Sequence, residues 1–268
     1  MLNVNRSTYY KHFSSHESAC AKEDRQVKTY ILTLRDRYKK RFGVNKLTIL
    51  LQREYGLKIG QTRVRRLVKS MNLPKISSRK VPTQSAKSES GDFKNLLNRK
   101  FKPDEPNRIW AGDITYLKVG PKWHYLCVVI DLFSKKIISW LLSDQPNAQL
   151  VINTFRKAYR SRNCPQGLLF HSDRGSQYTC AAFRKLLDEL NVVQSFSAKG
   201  CPFDNAVVEA FFKFLKAEET NHKSYSNLAD LRVSLFEYID GFYNVKRPHS
   251  AINFLSPADF ESNFFSSI

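Results

Sequence analysis

Ile109-Trp110-Ala111-Gly112-Asp113-Ile114-Thr115-Tyr116-Leu117-Lys118-Val119 has the β-branched and aromatic composition of a strand, and Gly120-Pro121 ends it with a turn. The apolar run Trp123–Leu132 follows, then a break at Ser134-Lys135 and a third strand over Lys136–Leu142. Three strands joined by such short connections must run antiparallel. Beyond them the pattern changes. A helix is predicted from about Asn147 to Arg160, a short buried strand over Gly167–His171, and a helix over Ala181–Leu190. A strand over Val192–Phe196 and helices over Asp204–Glu219 and Leu228–Tyr243 complete the chain. An antiparallel meander followed by alternating helices and strands describes an α/β fold, a mixed sheet with helices on both faces.

The first third of the chain is different in kind. Residues 1–105 hold 25 Lys and Arg against 9 Asp and Glu, a net of +16. Residues 106–268 hold 19 against 15, a net of +4, within a whole-chain formal charge of +20. An excess so concentrated points to a polyanion partner, because each phosphate neutralised releases counterions. Amphipathic helices are predicted over residues 24–41, Asn45–Tyr55 and Gln61–Met71, with a turn around Gly56–Gly60. In the last, Val64, Leu67, Val68 and Met71 share one face, while Arg63, Arg65, Arg66 and Lys69 lie largely off it. A helix, a tight turn and a basic helix with an apolar back make a helix-turn-helix, whose second helix enters the major groove of double-stranded DNA. The boundaries expected are a helix-turn-helix region at 1–75, a basic linker at 76–105 and a catalytic domain with a C-terminal helix at 106–268.

The same composition sets exclusions. No uninterrupted apolar run approaches the roughly 18–20 residues of a spanning helix, so no membrane partner is expected. Cys20, Cys127, Cys164, Cys180 and Cys201 are odd in number and lack zinc-ligand spacing, so they read as reduced thiols. With no apolar signal core at Met1-Leu2-Asn3-Val4-Asn5-Arg6, a cytoplasmic location is expected.

Three acids stand where chemistry is done. Asp113 lies inside the first strand, among apolar neighbours, and so needs hydrogen bonds or a cation to compensate it. Asp173 follows the strand ending at His171, and functional groups in α/β sheets gather beyond strand ends. Glu209 shares a helix stripe with Lys213 and Lys216, away from the apolar face of Val208, Phe211, Phe212 and Leu215. Taken alone, that stripe reads first as a surface Glu–Lys pair and second as a metal ligand beside two DNA-holding lysines.

Order and spacing separate those readings. Between Asp173 and Glu209 lie 35 residues. With this gap the chain resembles the retroviral-integrase superfamily, and more closely the second-reading-frame product of insertion sequence 3 family transposases. The resemblance rests on Trp110–Tyr116, His171–Tyr178, Lys199–Phe212 and Tyr243–Asp259, and extends to the N-terminal helices. It implies a ribonuclease-H-like fold and a catalytic triad of Asp113, Asp173 and Glu209 that binds two Mg²⁺ (or Mn²⁺) ions. Such a pair activates the attacking hydroxyl and stabilises the leaving oxygen, giving cleavage at the element's ends and then strand transfer. It also implies double-stranded DNA partners, namely terminal repeats and target. A homo-oligomer on DNA, and an upstream-frame protein or fusion supplying a further helix-turn-helix, are implied too.

Other residues carry subsidiary expectations. Arg174, Lys199, Arg247 and His249 are candidate DNA contacts, the last two with C-terminal packing as an equal alternative. Asp204 and Asn205 flank a turn beside the catalytic helix and are expected near DNA. Asp131 is expected to be structural, His171 to support Asp173, and Ser172 and Ser176 to be turn residues. The alternative function is a non-catalytic DNA-binding regulator of transposition; the intact triad argues against it.

Overall fold

The computed structural model describes residues 5–13, 17–73, 93–198 and 201–267, which form two compact units divided between residues 77 and 78. Among the described residues the N-terminal unit has four helices: α1 (Arg6–Phe13), α2 (Ala19–Arg37), α3 (Val44–Tyr55) and α4 (Gln61–Ser70). Ser18 caps α2 by accepting from the Ala21 N–H, and Gly56 ends α3 in the left-handed region at φ 64°. Val27, Ile31, Leu34, Phe42, Leu47, Leu50, Leu51, Val64 and Leu67 form its buried core. Of the apolar stripe predicted on α4, Val64 and Leu67 are buried, while Val68 and Met71 stand at the margin.

The second unit carries the sheet. Its elements are β1 (Ile109–Val119), β2 (Lys122–Asp131), β3 (Ile137–Ser143), α5 (Ala148–Ser161), β4 (Leu169–Ser172), α6 (Ser176–Thr179), α7 (Ala181–Glu189) and β5 (Val193–Phe196). A 3₁₀ turn (Pro202–Asn205) then leads into α8 (Ala206–Glu218), followed by α9 (Leu228–Tyr238) and α10 (Pro257–Ser266). The strand order is β3-β2-β1-β4-β5, with β1, β2 and β3 antiparallel and β4 and β5 parallel to β1. This is the mixed sheet with flanking helices expected from the sequence.

One face of the sheet is closed by α5, α6 and α7 around Trp110, Val129, Phe155, Phe170, Tyr178, Phe183 and Leu187. Phe155 meets Trp110, Phe170 and Phe183 edge-on at centroid distances of 6.2, 5.2 and 5.7 Å, a favoured arrangement of aromatic rings. On the other face α8 packs against β1, and Trp140 of β3 donates to Asp240 just beyond α9. The Asn244 side chain brackets the backbone of Ile137, accepting from its N–H and donating to its carbonyl.

Three features depart from the sequence reading. The helix predicted to run to Tyr243 widens after Tyr238 into a π-turn over Ile239–Tyr243. A last helix, α10, follows Ser256, which caps it by accepting from the Asp259 N–H. Residues 93–105, read as linker, pack onto the catalytic unit. Leu97 is buried, the Phe196 N–H donates to Lys94 O, and the Lys135 ammonium donates to Phe101 O. Burial pushes that ammonium down to about 8, against the pull of Asp131.

Candidate active site

The parallel register of β1 and β4 sets the geometry of the first two acids. Ala111 pairs with His171, the last pair of these two strands, so Asp113 and Asp173 each follow it by two residues on adjacent chains. Gly112 makes room for this. A Cβ there would come within 2.6 Å of Cζ of Phe170, so only glycine lets β1 cross that ring.

The third acid arrives on α8. Asn205, at the N-terminus of that helix, is buried, and its amide donates to the Gly112 carbonyl at 3.3 Å. Glu209 follows Asn205 by four residues, a rise of about 6 Å along a helix. Its neighbour Asp204 is buried as well; it accepts from Arg99, Asn95 and the Ala198 N–H. These two residues are therefore anchors for the helix, and the expectation that they lie against DNA is replaced by that role.

Electrostatics couple the acids. Burial holds the Asp113 carboxyl well above its ordinary range, and the charges of Asp173 and Glu209 push it further up; the Ile114 N–H and Lys216 oppose them. Burial raises Asp173 too, partly offset by the Gly175 N–H at 3.0 Å. Partial burial also raises Glu209. Among the described residues no three His, Cys, Asp or Glu side chains stand close enough to hold a metal ion as they are. The donor set nevertheless suits one: three hard oxygen ligands whose mutual repulsion a divalent cation would relieve.

Of the predicted DNA contacts, Lys213 and Lys216 are on α8 beside Glu209, Lys213 exposed and Lys216 half-buried with its ammonium 4.6 Å from the Tyr116 ring centroid. Arg65 and Lys69 are exposed on α4. Arg63 is half-buried against two acids, and Arg66, though exposed, also reaches one of them. Arg63 donates to Glu23 and Asp24, Arg66 to Asp24, and the hydrogen bond from Arg63 outweighs burial to hold Asp24 below the usual carboxylate range. Lys199 lies outside the described residues.

Three further candidates are engaged within the unit. Arg174 donates to the carbonyls of Ser197 and Phe93, tying the segment before β1 to the end of β5. Arg247 is 1% exposed and makes a two-pronged pair with Glu218 of α8 at 2.8 and 2.7 Å, its guanidinium 3.9 Å from the Phe214 ring centroid. His249 is buried beside it, 3.2 Å from the Arg247 guanidinium. Arg247 and His249 thus take the packing role that was the alternative for them, while Arg174 is half-buried. His171 is buried between Ser195 and Ser197, and burial pushes its imidazole down to about 4. Asp131 accepts from the Asn107 and Phe133 N–H groups at the mouth of a turn, with burial raising it to about 6. Gly112, not singled out in the sequence, carried one signal: a glycine inside a strand marks close approach.

Known proteins match along the whole of this arrangement. An integrase core domain family matches residues 103–202, a second integrase core domain family residues 190–257, and an HTH-like domain residues 22–81. The transposase for insertion sequence element IS904 of Lactococcus lactis subsp. lactis (strain IL1403) is 37% identical over 84% of this chain and 88% of its own. Transposase InsF for insertion sequence IS3A of Escherichia coli (strain K12) is 35% identical over 98% of this chain and 92% of its own. An insertion element IS600 protein of 31 kDa from Shigella sonnei is 32% identical over 98% and 97%. With its mixed sheet, its N-terminal HTH-like helices and relatives aligned nearly end to end, the chain belongs to the insertion sequence 3 family of transposases and carries their ribonuclease-H-like integrase core.

Proposed function

We propose that this chain is the catalytic subunit of a DNA transposase, a metal-dependent polynucleotidyl transferase that cuts at the ends of its element and joins the freed 3′ end to another strand. The observation that carries this reading is the juxtaposition of Asp113, Asp173 and Glu209: Asp113 lies within β1 and Asp173 just past β4, and the charges of Asp173 and Glu209 add to burial in raising the Asp113 carboxyl. Asp113, Asp173 and Glu209 would hold Mg²⁺ or Mn²⁺, two ions in the active complex. The ions would supply Lewis acidity at the attacking and leaving oxygens. The protein supplies placement. Gly112 and Asn205 fix the strand and the helix that carry two of the acids, and rigid placement of this kind is worth several kcal/mol of barrier. Lys213 and Lys216 lie one and two turns past Glu209 and would hold a phosphate backbone against the acids. Arg65 and Lys69 on α4 would engage duplex DNA in the manner of a recognition helix. A homo-oligomer on paired element ends and an upstream-frame partner belong to the same proposal, as does division into an HTH-like module followed by a catalytic one.

The test is a labelled duplex ending in the element's terminal repeat, incubated with Mg²⁺, Mn²⁺ or EDTA, for wild type and Glu209→Gln. Metal-dependent joining of the 3′ end to a second strand, absent from the variant, is the expected result. Tight binding without cleavage in either metal, for this chain and for its fusion to the upstream frame, would instead support a regulator of transposition.

A further inference from the structure

The face of β1 and β2 buried under α5 does not end where the helix does. Cross-strand register places Ile114 opposite Cys127, Tyr116 opposite Tyr125 and Lys118 opposite Trp123, all on that same face. Ile114 and Tyr125 still pack on the core, but Trp123 is 49% exposed. Its ring meets Tyr116 edge-on at 5.1 Å, Lys118 stands 5.9 Å from its centroid, and Lys122 beside it is exposed. On the inner side, Lys216 of the catalytic helix caps the Tyr116 ring and lies in the field of Asp113. A ledge of two rings and three lysines thus leads from the hairpin tip to Lys216, which links it to Asp113 on the opposite face of β1. The ledge is held in place, because the Gly120 N–H at the tip donates to Tyr225 O in the segment between α8 and α9.

A cross-strand aromatic pair stabilises a hairpin whether or not it binds anything. Three features go further: a half-exposed tryptophan, cations around both rings, and contact through Lys216 with the catalytic helix. Together they form a surface complementary to a strand carrying both negative charge and open base faces. Bases offer those faces only outside the duplex. From Asp113 to Tyr116 the strand advances ~10 Å, at about 3.3 Å per residue, so such a strand would lie within a few nucleotides of the acids. We propose that the Tyr116–Trp123 ledge binds unpaired DNA, stacking bases next to the phosphodiester under attack while Lys118 and Lys122 hold their phosphates. This rests on reading the chain as an enzyme acting on DNA ends.

The experiment uses the full chain in EDTA, so that no strand is cut. An oligodeoxythymidylate, a duplex with a single-stranded overhang and a blunt duplex are titrated, following tryptophan fluorescence and the anisotropy of labelled DNA. Trp110 is buried and Trp140 is bonded to Asp240, so quenching by stacking reports on Trp123. Quenching by the first two probes alone is expected. Trp123→Ala should weaken their binding about 5- to 100-fold, with Trp123→Phe between and blunt-duplex affinity unchanged. The phenylalanine variant keeps a ring on the hairpin, so it decides the matter if alanine lowers the melting temperature. Equal loss on all three probes, or no loss on any, would overturn the ledge as a site for unpaired strands. Joining by the wild type in Mg²⁺ is scored separately. A chain that joins strands without preferring overhangs sinks the ledge alone, and one that prefers overhangs without joining sinks only the catalytic reading.

Discussion

Gly112 shows how little freedom the first acid's position has. Gly112→Ala would drive a methyl group into Phe170, a ring already enclosed by Phe155, Tyr178 and Phe183. Overpacking of this kind costs about 1–3 kcal/mol, so the denaturation midpoint should fall, and strand joining with it as Asp113 shifts. A variant as stable as wild type would mean that Phe170 gives way. Arg247 is constrained from the other side. Arg247→Ala leaves Glu218 buried without its cation, and removing one partner of such a pair costs about 3–5 kcal/mol. Urea unfolding should register that loss, while the salt dependence of DNA binding stays as it was; a shallower slope would restore Arg247 as a phosphate contact. The contrast between Asp113 and Arg247 marks the reach of the sequence at this scale. An acid inside an apolar strand, followed by others at telling distances, announces itself. An arginine in a Pro-containing turn reads alike whether it faces solvent or a buried glutamate, because its partner sits 29 positions away.

At the level of elements, periodicity located α2, α3, α4, α5, α7 and α8 because each buries one stripe against a core. The same rule explains the misses. The π-turn after α9 keeps helical spacing almost unbroken, and α10, though capped by Ser256, is too short to show a convincing stripe. On α4 periodicity separated apolar from basic faces but could not tell which arginines were already engaged. That distinction is measurable. Arg65→Ala and Lys69→Ala should each lower the slope of log affinity against log salt by about 0.9, the release of one phosphate's counterions. Arg63→Ala should leave the slope unchanged and lower the unfolding midpoint, since it removes the cation shared by Glu23 and Asp24. An equal slope change in all three would mean that those pairs open on DNA.

Over the whole molecule, the charge asymmetry that pointed to nucleic acid is legible in any count, and so is the α/β class. The strand order is not, since β1 finds β4 only after about fifty intervening residues, and no local pattern encodes that choice. The chain's end is likewise tied back over a long span. Glu261 of α10 accepts from Arg162, Lys136 and Ser134. Burial alone would raise its carboxyl, but the hydrogen bonds from Arg162 and Lys136 hold it below its ordinary 4.5. A carboxylate depressed on folding contributes stability above pH 4.5 that is lost as pH falls through its folded value. Glu261→Gln should therefore lower stability at neutral pH by about 3–5 kcal/mol and flatten the acid limb of the pH profile below 4.5. An unchanged limb would assign the acid sensitivity to other groups. The pairing of β1 with β4 stops at Ala111 among the described residues, and α8 packs against β1 beyond it. Asn205 occupies one backbone carbonyl there. Should α8 loosen, the molecule would bare a template onto which a second chain could zip, turning a local fault into self-association. The anchors that aim Glu209 thereby double as guards against aggregation.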